Sequence, residues 1–170
     1  MRRIEILLYR ADKQDKHKAD DFIAAYTGMF PCNYGTRPYS HVEIGLQQSC
    51  GNVRCFSSTS RDYLLGKNGT RWIDKPDLFE NPDRWDVYYK MATPAGIELM
   101  EERANSIVGL LYDWLGILGF AFPFGILHDP YRWYCSEAVY YVLTGKRIRV
   151  SPRRLSKLIK KMGFQLETDR

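Results

Sequence analysis

Hydrophobic positions recur with two different periods along this chain, and the change of period predicts its architecture. In His41 to Leu46 and Trp85 to Lys90 the repeat is every second residue, as strands that bury one face require. Ile4 to Tyr9 reads as a buried opening strand. Lys13 to Tyr26 fits a helix, with Phe22, Ile23 and Tyr26 on one side and Lys13, Lys16, Lys18 and Asp20 toward water. Thr27 to Pro38 is loop-like, broken by Gly28, Pro31, Gly35 and Pro38. His41 to Leu46 then alternates: Val42, Ile44 and Leu46 share one face, and His41, Glu43 and Gly45 the other. Ser49 to Asn52 predicts a turn, and Val53 to Ser58 the returning strand of a hairpin. Asn68-Gly69 has the composition of a two-residue hairpin turn leading into a strand from Thr70 to Ile73. Trp85 to Lys90 forms a further strand, with Trp85, Val87 and Tyr89 alternating against Asp86 and Tyr88.

From Pro94 onward the period lengthens. Ile97, Met100, Ala104, Ile107, Val108 and Leu111 recur at helical spacing and predict a helix from Pro94 to Leu111, with Glu98, Glu101 and Glu102 early in it. Tyr112 to Phe124 is apolar and broken by glycines. Ser136 to Leu143 reads as a short helix closed by Gly145. The last helix opens at Ser151-Pro152, runs to Lys161 and ends at Gly163. No repeat, low-complexity tract or linker divides the chain. The expectation is a single α+β domain over residues 1–170, an antiparallel β meander packed against helices.

Composition supports a packed core: 45% of the residues are hydrophobic and 14% aromatic. The net charge of +5 is unevenly placed. Eight basic residues and no acidic one lie between Lys146 and Lys161. Such an end suits an anionic surface (nucleic acid, lipid or an acidic cell-wall polymer), and a plainly solvated helix face is the alternative. Cys32, Cys50, Cys55 and Cys135 form neither a zinc pattern nor a dense disulfide framework, which points to thiols in a reducing compartment. The start, MRRIEILLYRAD, reads as a strand rather than a secretory signal. The longest apolar run, Trp114 to Leu127, is fourteen residues, short of the ~20 that span a bilayer. A chain that is cytoplasmic as synthesised is therefore expected. That run is expected in the core.

Two segments carry the candidate chemistry. Cys135 follows the aromatic pair Trp133-Tyr134 and opens an amphipathic helix. A thiol at a helix N-terminus feels the positive end of the dipole, which favours thiolate, and the unpaired N–H groups there can hold an oxyanion. The competing reading is an inert buried cysteine. A cysteine nucleophile needs an imidazole to take its proton and a third group to orient that imidazole. Of His17, His41 and His128, His41 sits on a strand, where direction is set by the pleat. The orienter is Glu43, Ser58 or a backbone carbonyl, with Glu43 first; residues two apart on a strand lie ~7 Å from each other, long for a direct contact. In hairpin pairing about residues 49–52, Ser58 opposes Glu43, and a bulge substitutes Ser57 or Thr59. His41-x-Glu43 offers two metal ligands where a stable site needs three or four, so neither metal nor cofactor is expected.

Together, Tyr39-Ser40-His41-Val42-Glu43-Ile44-Gly45-Leu46 and Tyr134-Cys135-Ser136-Glu137-Ala138-Val139-Tyr140 resemble the circularly permuted papain-like proteins of the NlpC-type superfamily, relatives of lecithin–retinol acyltransferase. Cys55-Phe56-Ser57-Ser58, Arg61-Asp62, Trp85-Asp86-Val87, Tyr112-Asp113-Trp114-Leu115-Gly116 and Ser151-Pro152-Arg153-Arg154-Leu155 are similar to landmarks of small, often phage-borne members. The resemblance covers roughly residues 1 to 160. It implies a Cys–His amidase, endopeptidase or acyl hydrolase with Cys135 and His41 as the pair; it fixes no third residue, and Tyr39, Ser58 and Ser136 are further candidates for orienting the base or contacting substrate. For a phage-borne chain it implies the host cytoplasm or the virion as location. Glu43 stands where many relatives have glycine. The implied partner is a peptide or acyl substrate, with cell-wall peptidoglycan first and lipid or thioester second, the latter with the Trp114 to Leu127 run lining an acyl-binding groove or touching a membrane. Apart from the resemblance, the basic Lys146 to Lys161 stretch leaves a non-enzymatic nucleic-acid or host-protein binding module as the third reading.

Overall fold

Strand β1 (Arg2–Arg10) has apolar residues on both sides, as a strand covered on both faces requires. In the computed structural model it is the middle of a six-stranded antiparallel sheet. The structure describes residues 1–10, 39–60, 68–75, 82–118, 129 and 131–168. The helix expected over Lys13 to Tyr26, the loop over Thr27 to Pro38 and residues 119–127 of the Trp114 to Leu127 run lie outside them.

β2 (Tyr39–Gln47), β3 (Val53–Thr59) and β4 (Gly69–Asp74) follow on one side of β1; β5 (Trp85–Ala92) and β8 (Gln165–Leu166) lie on the other. The order β4-β3-β2-β1-β5-β8 departs from a plain meander, because β5 crosses to the far edge of β1 instead of pairing with β4. The Gln48–Asn52 turn is as expected: Gln48 N–H donates to the Asn52 carbonyl at 2.7 Å, and Gly51 takes φ 91°. Asn68-Gly69 is not a two-residue hairpin. Gly69 pairs with Thr59, so residues 60–68 make that connection. Gly69 is needed for another reason: at φ 117° its backbone approaches the Leu110 carbonyl so closely that an added Cβ would sit 2.0 Å from that oxygen.

Helix α1 (Pro94–Asn105) is capped by the Thr93 hydroxyl, which accepts from Gly96 N–H. It stops six residues short of the expected end. Gly109 turns at φ 84°, the Leu110 carbonyl accepts from Thr70 N–H, and Thr70 Oγ1 donates to the Ile107 carbonyl. The chain is thereby pulled off the helix into β6 (Leu111–Tyr112), which pairs in parallel with β7 (Arg132–Trp133). A five-residue helix, α2 (Trp114–Leu118), follows β6. α3 (Cys135–Thr144) closes at Gly145 in the left-handed region, and α4 (Pro152–Lys161) is capped by Ser151.

The sheet divides the interior. Ile4, Ile6, Leu8, Val42, Ile44, Leu46 and Phe56 form one core with Ile97 of α1, Ala138, Val139 and Val142 of α3, and Leu155 and Ile159 of α4. Leu7, Tyr9, Cys55, Trp85 and Val87 form a smaller cluster on the opposite face. That face also carries buried charge, Glu5 and Glu43, and each is neutralised across the strands.

Candidate active site

β2 lifts His41 and Glu43 from the same face, as the period of two requires, and both are almost fully buried, at 5% and 0% exposure. His41 Nε2 lies 2.7 Å from Glu43 Oε1. The strand spacing alone made this contact look long; the two side chains lean toward each other and close it. Arg71, from β4, completes the cluster. Its Nη1 donates to Glu43 Oε2 at 3.1 Å and its Nη2 to Oε1 at 2.9 Å, a two-pronged geometry suited to guanidinium and carboxylate. The Trp85 ring stands edge-on to the imidazole, 6.3 Å between centroids.

The electrostatics follow from that packing. Burial, the largest influence on Glu43, pushes its pKa up; the charge of Arg71 and then the bond and charge of His41 outweigh it and hold the carboxyl at about 2. Glu43 is therefore an anion at neutral pH and a fixed partner for the imidazole. Cys55, on the same face, has its thiol pushed well up by burial and then by the Glu43 and Glu5 carboxylates, so it stays an unreactive thiol.

Cys135 is the first residue of α3, one position earlier than the expected helix start. The residue before it, Tyr134, caps the helix with extended backbone and no side-chain hydrogen bond, so no side chain of the cap occupies the first-turn N–H groups. The segment leading to the thiol is pinned on several sides. The Trp133 carbonyl accepts from Ser58 Oγ at 2.6 Å and from Asp113 N–H at 3.1 Å. Tyr134 Oη accepts from Val150 N–H at 3.0 Å, and Ser136 Oγ donates to the Val150 carbonyl at 2.5 Å. Burial and then Glu137 raise the Tyr134 phenol, so it remains neutral.

The structure thus brings His41 and Glu43 together and distributes the other candidates. Ser58 is not an orienter of His41. The β2–β3 register pairs Ile44 with Phe56, one residue off the simplest hairpin, so Ser58 turns to the helix side and Ser57 takes the side of Glu43. Ser57 Oγ donates to the Val42 carbonyl at 2.6 Å. Tyr39 Oη donates to Asp86 Oδ2 at 2.5 Å, and burial followed by that bond raises its pKa above the ordinary phenol range. Ser136 is fully buried and serves as an anchor of α3. Cys135, 3% exposed, shares a helix stripe with Ala138, Val139 and Val142 and belongs to the core that contains Val42 and Ile44. His41 leaves β2 on the other face. The two stand at the same end of the sheet, where the Trp133–Ser58 and Ser57–Val42 bonds lie and where β2–β3 pairing has ended at Ile44 and Phe56.

Arg71 is the site residue that sequence reasoning missed. Its place beside Glu43 depends on the β3–β4 register, which the assumed hairpin at Asn68-Gly69 obscured. Among the described residues no group of three or more His, Cys, Asp or Glu is placed to hold a metal, and no helix is long and apolar enough to cross a membrane. The chain matches no known protein family, no characterised protein and no solved structure.

Proposed function

We propose that this chain is a cysteine-dependent hydrolase of the permuted papain-like kind, acting on an amide bond through a thioester intermediate. The observation that carries the reading is the buried His41–Glu43 contact with Arg71 behind it. Replacing a buried ion cluster by apolar residues is often neutral or stabilising, so such a cluster is weakly explained by stability alone. A base held by a fixed carboxylate is what nucleophilic catalysis needs. Cys135 at an N-terminus without a side-chain cap supplies the matching half.

In this mechanism His41 takes the Cys135 proton, and the thiolate attacks the substrate carbonyl carbon. With Nε2 engaged by Glu43, the proton travels through Nδ1. First-turn N–H groups of α3 stabilise the tetrahedral oxyanion. His41 then gives the proton to the leaving amine, and the acyl group stays on Cys135 as a thioester. Water, deprotonated by His41, attacks that carbonyl and releases a carboxylic acid and the thiol. The step requires Cys135 Sγ and His41 Nδ1 to meet at the end of β2 and β3 beyond their last mutual pair, Ile44 with Phe56.

The substrate proposed is a peptide bond of peptidoglycan, with the exposed Arg154, Lys157, Lys160 and Lys161 of α4 toward the anionic polymer. A second reading, lipid or thioester cleavage, is favoured by Leu111, Leu115 and Tyr131, which are exposed around the segment that leads to Cys135. Purified murein and a short acyl ester, each tested with the wild type and with Cys135→Ala, separate these readings. Turnover of one substrate that vanishes in the variant is the expected result. Turnover fully retained by Cys135→Ala overturns the proposal.

A further inference from the structure

Gly145, at φ 74°, reverses the chain at the end of α3, and residues 146–150 run back along the helix to its beginning. Arg147 is delivered in this way to the first turn. Its Nε donates to Glu137 Oε1 at 2.8 Å, and its Nη2 donates to the Arg132 carbonyl at 2.7 Å and the Asp129 carbonyl at 3.3 Å. The guanidinium carbon lies 4.0 Å from the centre of the Trp133 ring. One planar cation therefore touches both sides of Cys135: the strand that enters it and the carboxylate two residues after it.

We propose that Arg147 is a positioning residue for Cys135, holding the entering strand and cancelling the Glu137 charge so that the helix N-terminus still favours thiolate. The inference rests on the reading of Cys135 as nucleophile. Glu137 is fully buried in the first turn of α3. A carboxylate at an N-terminus stabilises the helix, but beside a thiol it opposes the thiolate. Its field reaches the residue next to Cys135, since Glu137 is the second cause, after burial, of the raised Tyr134 phenol. Arg147 converts that anion into a neutral pair. Its planar fork does this while bonding two carbonyls and stacking on Trp133, a combination lysine does not reproduce.

Other charged groups lie on the elements at this end of the helix: Arg149 in the returning segment, Asp113 after β6, Asp129 before β7, Arg132 in β7 and, from the other face of the sheet, His41 with Glu43 on β2. Arg147→Met also frees the Asp129 and Arg132 carbonyls, whereas Glu137→Gln leaves those bonds intact, so titration shifts of opposite sign in the two variants report the charge of this pair.

The test follows the rate of iodoacetamide alkylation of Cys135 against pH in the intact chain, with Cys50→Ser removing the exposed thiol among the described residues, Cys32→Ser removing the cysteine outside them, and the modified site mapped by mass. Arg147→Met is expected to raise the midpoint by about one pH unit, as loss of a nearby opposing charge does. Glu137→Gln alone is expected to lower it by a similar amount, and the double variant to return close to wild type. Arg147→Lys keeps the midpoint but lowers the limiting rate at high pH, because the charge remains and the fork is lost. An unchanged midpoint in a folded Arg147→Met protein overturns the proposal. If that variant does not fold, an unchanged midpoint in Glu137→Gln does so. No substrate enters this measurement, so its failure is distinct from turnover surviving in Cys135→Ala, which strikes the hydrolase reading itself.

Discussion

Replacing Arg71 by Met leaves Glu43 buried with only His41 to oppose its charge. Held at about 2 instead of 4.5, the Glu43 carboxyl contributes about 3 kcal/mol at neutral pH, at about 1.4 kcal/mol per pH unit. Because the folded pKa lies below the unfolded one, this stability is present above pH ~4.5 and lost as the pH falls toward 2. Removing one partner of a buried pair costs about 3–5 kcal/mol, and a partly exposed partner belongs at the lower end. Arg71 is 20% exposed in its side chain, so a loss of about 3 kcal/mol is expected at pH 7. Without the guanidinium, burial dominates and Glu43 titrates at a higher pH. The gap between wild type and variant therefore narrows as the solution is acidified. Urea unfolding at pH 7, 5, 4 and 3 measures it directly. Adding Glu43→Gln to the variant should recover part of the loss, since the uncompensated charge is then gone. A deficit below about 1 kcal/mol at pH 7, or a gap that does not shrink in acid, refutes the reasoning.

Glu43→Gln, which keeps the shape but not the charge, should lower turnover of the substrate lost in Cys135→Ala by about 100-fold or more, read as kcat with KM little changed. Ser58→Ala deprives the Trp133 carbonyl of one of its two donors and should cost about 1 kcal/mol in urea unfolding. Gly69→Ala forces a side chain into the left-handed region and against the Leu110 carbonyl; a loss of about 2 kcal/mol or more, seen as a lower thermal midpoint, is expected.

A continuous apolar run made β1 legible, and alternation made β2 legible and with it the shared face of His41 and Glu43. Helical spacing and the glycine at 145 likewise marked α3 to within one residue, so Cys135 at a helix start was readable. Three features were not. Helical periodicity continues through Ile107 to Leu111, yet Thr70 captures the Ile107 and Leu110 carbonyls and ends α1 at Asn105. Tertiary hydrogen bonds prevailed there over local spacing. Asn68-Gly69 has hairpin composition, but its glycine answers a close approach to Leu110, which lies 41 residues away in sequence. Arg71 became a partner of Glu43 only through the register that this approach allows. Polar groups joined across strands depend on register, and a one-residue change reverses every face.

Native-state alkylation of Cys135 tests the central claim most directly. With the modified site mapped by mass, the account predicts reaction in the folded chain at a pH midpoint well below the ordinary ~8.5, and a shift of that midpoint when His41 is replaced by Gln. A Cys135 that reacts only after unfolding, or that titrates as an ordinary thiol whatever occupies position 41, contradicts it.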